Sequence, residues 1–344
     1  MIRRVQLSIN NANIGKLNKL DKFRAESIHV INLYINLIWE QQDFSSKFIS
    51  TKADTWLSAR MQQCLGKQAL EIVKSQRKRK RKTKPTFSGN SFNIDSRFVN
   101  IQFDNNSFDV WVKLSSLGNK IILNLPAHKH RQFFKYKEWK LKQSIRLRFS
   151  NNNYFVDLYY EKEPLPLKTT GNTKAIDIGY KKLIVSSDRE FIGNTFIYEK
   201  ISRKKQGSKA FNQALIERDE LINKACKQLD LNNTNVLYAE DLKSVKHGSK
   251  GKIHKSFMNK LQRWSYSKVL NRLSMLCDES GIQFVKLSSQ YTSQRCSKCG
   301  VICKSNRQGE IYKCACGNIM DADLNAAYNI LHLGEYGLQV FKPI

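Results

Sequence analysis

The sequence predicts a multidomain α/β protein: a β-barrel domain carrying a helical insert, followed by a mixed-sheet α/β domain with a cysteine-rich insert. Three observations predict it. Short alternating segments at regular spacing fill residues 86–163, strands and helices alternate from residue 174 onward, and five of the eight cysteines crowd into residues 296–316.

The charge balance narrows the function class before any motif is read. Against 29 Asp+Glu the chain carries 59 Lys+Arg, a formal net charge of +30. Self-repulsion of that size disfavours a compact state unless a polyanion offsets it, and a phosphate backbone does so while releasing counterions. A basic proteome or a membrane-surface role would also give a basic chain, but neither accounts for an excess spread along nearly all of it. No stretch of about 18 apolar residues occurs, so no transmembrane helix and no membrane partner are expected. The start, MIRRVQLSIN, alternates like a strand and lacks the apolar core of a signal peptide. The expectation is a cytoplasmic protein in a reducing compartment, where crowded cysteines point to metal before disulfides.

Residues 2–9 read as a strand with Val5, Leu7 and Ile9 on one face. From Ile14 to about Trp39, Leu17, Leu20, Ile28, Ile31, Ile35 and Ile38 recur at helical spacing, and a second helix is expected from about Asp54 to Val73. It runs into Arg77, Lys78, Arg79, Lys80, Arg81 and Lys82, a block read as a backbone contact for nucleic acid, with a solvated tail or a localisation signal as alternatives. Next come FVNIQF, SFDVWVKL, KIILNL, SIRLRF and YFVDLYY, the strands of the expected small barrel or sandwich. The segment HKHRQFFKYKEWKLK, residues 128–142, interleaves cations with rings: Lys129 and Arg131 suit phosphates, and Phe133 and Trp139 suit base stacking or the core.

EPLPLKTTGNTK has two prolines and no periodicity and reads as a linker. Beyond it the pattern is three hairpin strands from KAIDIG, a helix at 209–229, the strand VLYAED, a helix at about 256–278, the strand IQFVKLS, the cysteine-rich insert and a last helix at about 322–333. The expected division is 1–13 with 85–162 as the β-barrel domain, 14–84 as the helical insert, 163–173 as the linker, and 174–344 as the α/β domain with its insert at 291–320.

Three acids stand out by position. Asp177 sits inside the apolar strand KAIDIG, Glu240 ends VLYAED, and Asp323 opens the last helix. A carboxylate in or ending a buried strand is costly unless a cation meets it. Converging carboxylates are what Mg²⁺ or Mn²⁺ requires, and two such ions can activate a water and stabilise a leaving oxygen in phosphodiester cleavage. Taken singly, each has a plainer account: a paired core acid, a strand-end surface acid, and a first-turn helix acid favoured by the dipole.

Cys296-x2-Cys299-Gly300 and Cys314-x-Cys316-Gly317 form two knuckle-like pairs, suited to one structural, tetrahedral Zn²⁺. The second pair is one residue short of C-x2-C, which leaves Cys303 as a substitute ligand. Cys64, Cys226 and Cys277 fall on expected helices and read as core. Between Asp241 and Asp278 there is no acid, while Lys243, Lys246, Lys250, Lys252 and Arg263 are among the cations, so a basic lid beside Glu240 or a solvated loop is expected.

IDIGYKKLIVSSD, YAEDLKSV, YTSQRCSKCG and DADLNAAYNIL together resemble the three RuvC motifs and the zinc insert of TnpB proteins, the OrfB proteins of insertion sequences and relatives of type V CRISPR effectors. The resemblance covers residues 174–333. It implies an RNase H-like (RuvC) nuclease domain with a zinc-ribbon insert, preceded by a wedge-like barrel and a recognition-like helical insert. It further implies an RNA-guided DNA endonuclease of a transposable element, with guide RNA, target duplex and displaced single strand as partners. Carried over by motif, the catalytic positions are Asp177, Glu240 and Asp323, holding two Mg²⁺ (or Mn²⁺) ions, with Asp321 and Asp241 as supporting neighbours. A nuclease-silent RNA-guided regulator and a strand-transfer transposase are the alternatives, and a homodimer is left open.

Overall fold

The computed structural model describes residues 1–41, 53–79, 82–105, 107–116, 118, 120–179, 181–194, 196–242, 265–288 and 290–336. The chain divides into two compact units, 1–163 and 164–344. Among the described residues, no helix is long and apolar enough to cross a membrane.

In the first unit, β1 (Ile2–Ser8) leads into α1 (Ile14–Glu40), α2 (Ala59–Arg77), β2 (Ser91–Ile94), β3 (Val99–Asn105), β4 (Phe108–Ser115), β5 (Ile122–Ala127), the short α3 (Arg131–Lys135), β6 (Lys140–Ser150) and β7 (Asn153–Glu161). The strands expected of a barrel lie in two antiparallel sheets, ordered β1-β7-β6-β2 and β3-β4-β5. α1 begins where the Asn13 side chain accepts from the Lys16 N–H at 3.0 Å, and it buries Leu20, Phe23, Val30, Ile31, Ile35 and Ile38 at helical spacing. The helices share one apolar core with the sheets, in which Phe23, Leu65 and Val73 join Phe92, Val112, Leu147 and Leu158.

In the second unit, β8 (Asn172–Asp177), β9 (Lys182–Ser186) and β10 (Phe191–Asn194) precede α4 (Phe196–Ser202), α5 (Lys209–Gln228), β11 (Thr234–Glu240), α6 (Tyr266–Ser280) and β12 (Gln283–Leu287). A three-stranded ribbon follows, β13 (Arg307–Gln308), β14 (Ile311–Lys313) and β15 (Ile319–Asp321), and then α7 (Ala322–Tyr336). β8 starts two residues inside the expected linker, and α4 falls between the expected hairpin strands and the expected helix at 209–229, where no element was expected. The main sheet is ordered β10-β9-β8-β11-β12; β8 and β9 are antiparallel, while β11 is parallel to both β8 and β12.

Side-chain alternation decides what each face of this sheet does. Ile176, Ile178, Leu237 and Ala239 join the core formed with α5 and α6. Asp177 and Glu240 stand at the alternate positions and so project to the opposite face, where α7 packs on β8, β9 and β11.

Candidate active site and cysteine cluster

The pairing of Ala239 with Ile176 places Glu240 and Asp177, each the next residue, side by side at the carboxyl ends of adjacent parallel strands. Open α/β sheets bind ligands at this edge. Asp323 arrives from the first turn of α7. A Cβ on Gly179 would lie 2.5 Å from the Lys182 carbonyl oxygen, too close for a side chain, and 3.4 Å from Asp323 Oδ2, so Asp323 reaches the end of β8.

The three acids bear on one another electrostatically. Burial raises Asp177 well above the ordinary carboxylate range, and repulsion from Glu240 and Asp323 adds to the rise. Burial likewise pushes Glu240 up to about 7, against the opposing pull of a hydrogen bond from Thr292 and the charge of Arg307. Arg307, on β13, donates from Nη2 to Asp323 Oδ1 at 2.8 Å and offsets the charge of all three acids.

The neighbouring acids have other tasks. Asp321 Oδ1 accepts the N–H groups of Asp323 (3.0 Å) and Leu324 (3.1 Å), capping α7, while its Oδ2 pairs with Lys182. Asp241 extends the strand pairing through its N–H to the Leu287 carbonyl at 2.7 Å.

The four cysteines Cys296, Cys299, Cys314 and Cys316 gather with all sulfurs within 4.8 Å of one another. Two of the separations are 3.7 Å (Cys296–Cys316) and 3.6 Å (Cys299–Cys314). A tetrahedral zinc with Zn–S of about 2.3 Å has S–S edges of about 3.8 Å, so the donor set and spacing fit that ion. In the first knuckle the Gly300 N–H returns to the Cys296 carbonyl at 2.9 Å, and in the second the Gly317 N–H returns to that of Cys314 at 3.0 Å. Both glycines adopt left-handed backbone, φ +82° and +83°, and the second turn closes one residue sooner on a glycine of the same conformation. Cys303 stands apart, its sulfur 3.0 Å from the Ser305 hydroxyl oxygen. Burial opposes ionisation of Cys296, but the Cys299 N–H, the Asn318 amide and the Lys298 N–H together hold its thiol down at about 6.

The positions read as nucleic-acid contacts are placed unevenly. Lys78, Arg79 and Lys82 are exposed. Arg77 is occupied at the end of α1, donating to the carbonyls of Ile38 (2.9 Å), Trp39 (3.2 Å) and Gln41 (2.6 Å). Arg131 is exposed, whereas Lys129 pairs with Asp104. Phe133 is only 6% exposed and belongs to the core, against Phe103 and Tyr160, so its ring is committed to packing. Trp139 is partly buried with the Arg3 guanidinium over its ring; Phe134, at 57%, is the exposed ring of the segment. Lys80, Arg81, Lys243, Lys246, Lys250, Lys252 and Arg263 lie outside the described residues, and with them the expected lid.

Arg307, Thr292 and one basic cluster join the residues expected from the sequence. Asp157 on β7 is fully buried between Arg4 (3.4 Å) and Arg148 (3.8 Å). The signal for the cluster was present in SIRLRF, where Arg146 and Arg148 alternate with Ile145 and Leu147 and so share one sheet face.

The family model described as Cas12f1-like, TNB domain matches residues 266–330, from α6 through the cysteines into α7. A CRISPR-associated endodeoxyribonuclease Cas12f1 of Sulfoacidibacillus thermotolerans is 49% identical over 72 residues, 20% of this chain and 17% of that protein. A TnpB-like protein of Acanthamoeba polyphaga mimivirus is 32% identical over 95 residues, 27% of this chain and 18% of that one. The chain thus spans less than a fifth of the length of either relative. Over the whole fold it resembles the protein in a Cas12f1–sgRNA–target DNA complex, with TM-score 0.60 at 13% identity, covering 96% of this chain and 98% of that one. It also resembles CasPhi-2 (Cas12j) bound to crRNA, with TM-score 0.51 at 8% identity, covering 100% and 99%. Residues 266–330 thus match a Cas12f1-like TNB domain, and the chain is similar to Cas12f1 and TnpB-like proteins over the matched segments and to a Cas12f1 structure in its fold.

Proposed function

We propose that the chain is an RNA-guided DNA endonuclease of a transposable element, cleaving phosphodiesters by metal-dependent hydrolysis at Asp177, Glu240 and Asp323. The observation that carries the proposal is the convergence of these three acids from two parallel strand ends and a helix start, with Asp177 and Glu240 raised by burial. Carboxylates so crowded call for more positive charge than Arg307 supplies, and their oxygens are the hard donors that Mg²⁺ or Mn²⁺ prefers. Two such ions, when bound, would activate the attacking water and stabilise the leaving oxygen. Asp177 and Glu240 hold their oxygens on the α7 face of the sheet, and Asp323 closes the set from the opposite side. Lys182 keeps Asp321 engaged as the helix cap, which leaves Asp323 as the acid of α7 that turns to the sheet.

Supporting the RNase H-like (RuvC) reading, the five-stranded sheet has an antiparallel hairpin edge and a parallel half, with the acids at the point where the two meet. The thiol cluster we read as one structural zinc in a ribbon at 291–320, since four thiolates leave no open position. Residues 1–13 and 85–162 (wedge-like) with 14–84 (recognition-like) are proposed to hold the guide RNA, whose pairing would select the target.

The test is cleavage of a plasmid matched to RNA that copurifies with the protein. Mg²⁺-dependent linearisation that Asp177→Asn abolishes is the expected result. Stable RNA and target binding without cleavage in Mg²⁺ or Mn²⁺ would overturn the enzyme reading and leave a regulator.

A further inference from the structure

Between the carboxylates and the thiols runs a buried polar seam for which neither ligand set accounts. Asn325 and Asn329 stand one turn apart on α7, and both are fully buried. Burying two amides is costly unless their donors and acceptors are met. Asn329 Nδ2 donates to the carbonyls of Thr292 (2.9 Å) and Arg295 (2.7 Å), and its Oδ1 accepts from Arg295 Nη1 (2.9 Å). Asn325 Nδ2 donates to the Arg295 carbonyl (2.8 Å), and its Oδ1 accepts from the Ser297 N–H (3.0 Å).

Apolar contact would dock a loop on a helix; amides add a fixed distance and direction. The loop fixed in this way carries Thr292, whose side chain is buried and whose hydroxyl donates to Glu240 Oε1. A glutamate at a strand end has three side-chain torsions to restrain, and this bond restrains the last of them. Thr292 thereby sets the direction in which both Glu240 carboxylate oxygens face.

We infer that Thr292, held by Asn329, is a positioning residue that sets the Glu240 carboxylate relative to Asp323. The helix that carries Asp323 in its first turn thereby also fixes Glu240, two turns further along, through one loop residue. The inference rests on the metal-dependent reading above. Partners that orient a metal ligand through a hydrogen bond typically contribute about 10–100-fold in metal affinity.

The experiment measures Mn²⁺ binding to the full chain without nucleic acid, by electron paramagnetic resonance, for Thr292→Val, Thr292→Ser and Glu240→Gln. We expect Thr292→Val, which keeps the shape and removes the hydroxyl, to weaken Mn²⁺ binding by about tenfold, and Thr292→Ser to restore it. If the valine variant does not fold, Thr292→Ala removes the hydroxyl without adding bulk. A purely structural Thr292 would lower the melting temperature and leave Mn²⁺ affinity unchanged. That outcome, with Glu240→Gln still losing the ion, overturns the inference alone. Wild-type affinity in Glu240→Gln overturns the metal reading and this inference together.

Discussion

Arg307 Nη2 donates to Asp323 Oδ1 at 2.8 Å, so the ribbon built around the thiols places a cation directly on the helix acid of the carboxylate cluster. The guanidinium offsets acids that otherwise repel one another. Arg307→Gln should therefore destabilise the chain by about 1–3 kcal/mol in metal-free buffer. Added Mg²⁺ should recover much of that loss by supplying the missing charge. Chemical denaturation with and without Mg²⁺ checks this, and a loss that Mg²⁺ does not change would mean that Arg307 acts only as a strand-to-helix tie.

The carboxylates should separate cleanly by role. Asp177→Ala, Glu240→Ala and Asp323→Ala should each abolish cleavage while RNA binding survives, because metal ligands act as a unit. Asp321→Ala should cut more slowly than wild type but detectably, and should lose about 1 kcal/mol of stability as a helix cap. Full activity in any of the first three removes that residue from the site.

Acidity of the metal-free protein offers a third check. Burial, first of all, raises both Asp177 and Glu240, the latter to about 7. The folded chain thus keeps protons that the unfolded chain releases near the ordinary carboxylate range. Where the folded state binds more protons, stability falls as pH rises, and the Glu240 contribution falls from that range up to about 7. The difference in melting temperature between wild type and Glu240→Gln, followed across this window without divalent cations, should shift against wild type as pH rises. A shift in the opposite sense would show that these acids are stabilised as anions.

Elemental analysis of freshly purified protein should find one zinc per chain. Cys296→Ser, Cys299→Ser, Cys314→Ser and Cys316→Ser should each lose it, and Cys303→Ser should keep it, since its sulfur sits with Ser305 outside the cluster. Loss of zinc on Cys303→Ser would mean that the knuckles rearrange around the ion.

For RNA binding, the exposed cations and the engaged ones should part company. Lys78, Arg79 and Lys82 changed together to Gln should weaken binding across unrelated sequences and flatten its salt dependence, with a slope lost of about 0.7–0.9 per phosphate contact. Arg77→Gln should chiefly cost stability, because its guanidinium serves the α1 carbonyls. Phe133→Ala should cost about 3–5 kcal/mol of stability through the cavity it leaves. Filter binding over a salt series, beside thermal melts, distinguishes the two groups.

The strand-borne acids were legible because a charge inside an apolar run has no local reason to be there, and KAIDIG and VLYAED each carry one. The thiol cluster was legible from spacing, including the short second pair, because a glycine follows each. Arg307 was not, since an arginine in SNRQGE looks like any solvated turn; only the ribbon's docking turns it toward Asp323. Thr292 and Asn329 act through contacts between segments 37 residues apart, which no local pattern encodes. The rings of 128–142 left stacking and core both open for a related reason. Alternation of cation and aromatic says which residue types are present, and the register of α3 decides that Phe133 faces inward while Phe134 faces out.

Strand β1 lies at the edge of its sheet with β7 as its neighbour there, Ile2 opposite Glu161 and Ser8 opposite Phe155. During synthesis the first strand therefore leaves the ribosome long before its partner exists. The first unit cannot close its sheet until nearly all of its residues have emerged, and the loop to be closed is among the longest the unit contains. Folding dominated by pairings so distant in sequence is slow, and it leaves an apolar strand exposed in the meantime. Until β7 arrives, Val5, Leu7 and Ile9, all buried in the finished unit, have no sheet partner to cover them.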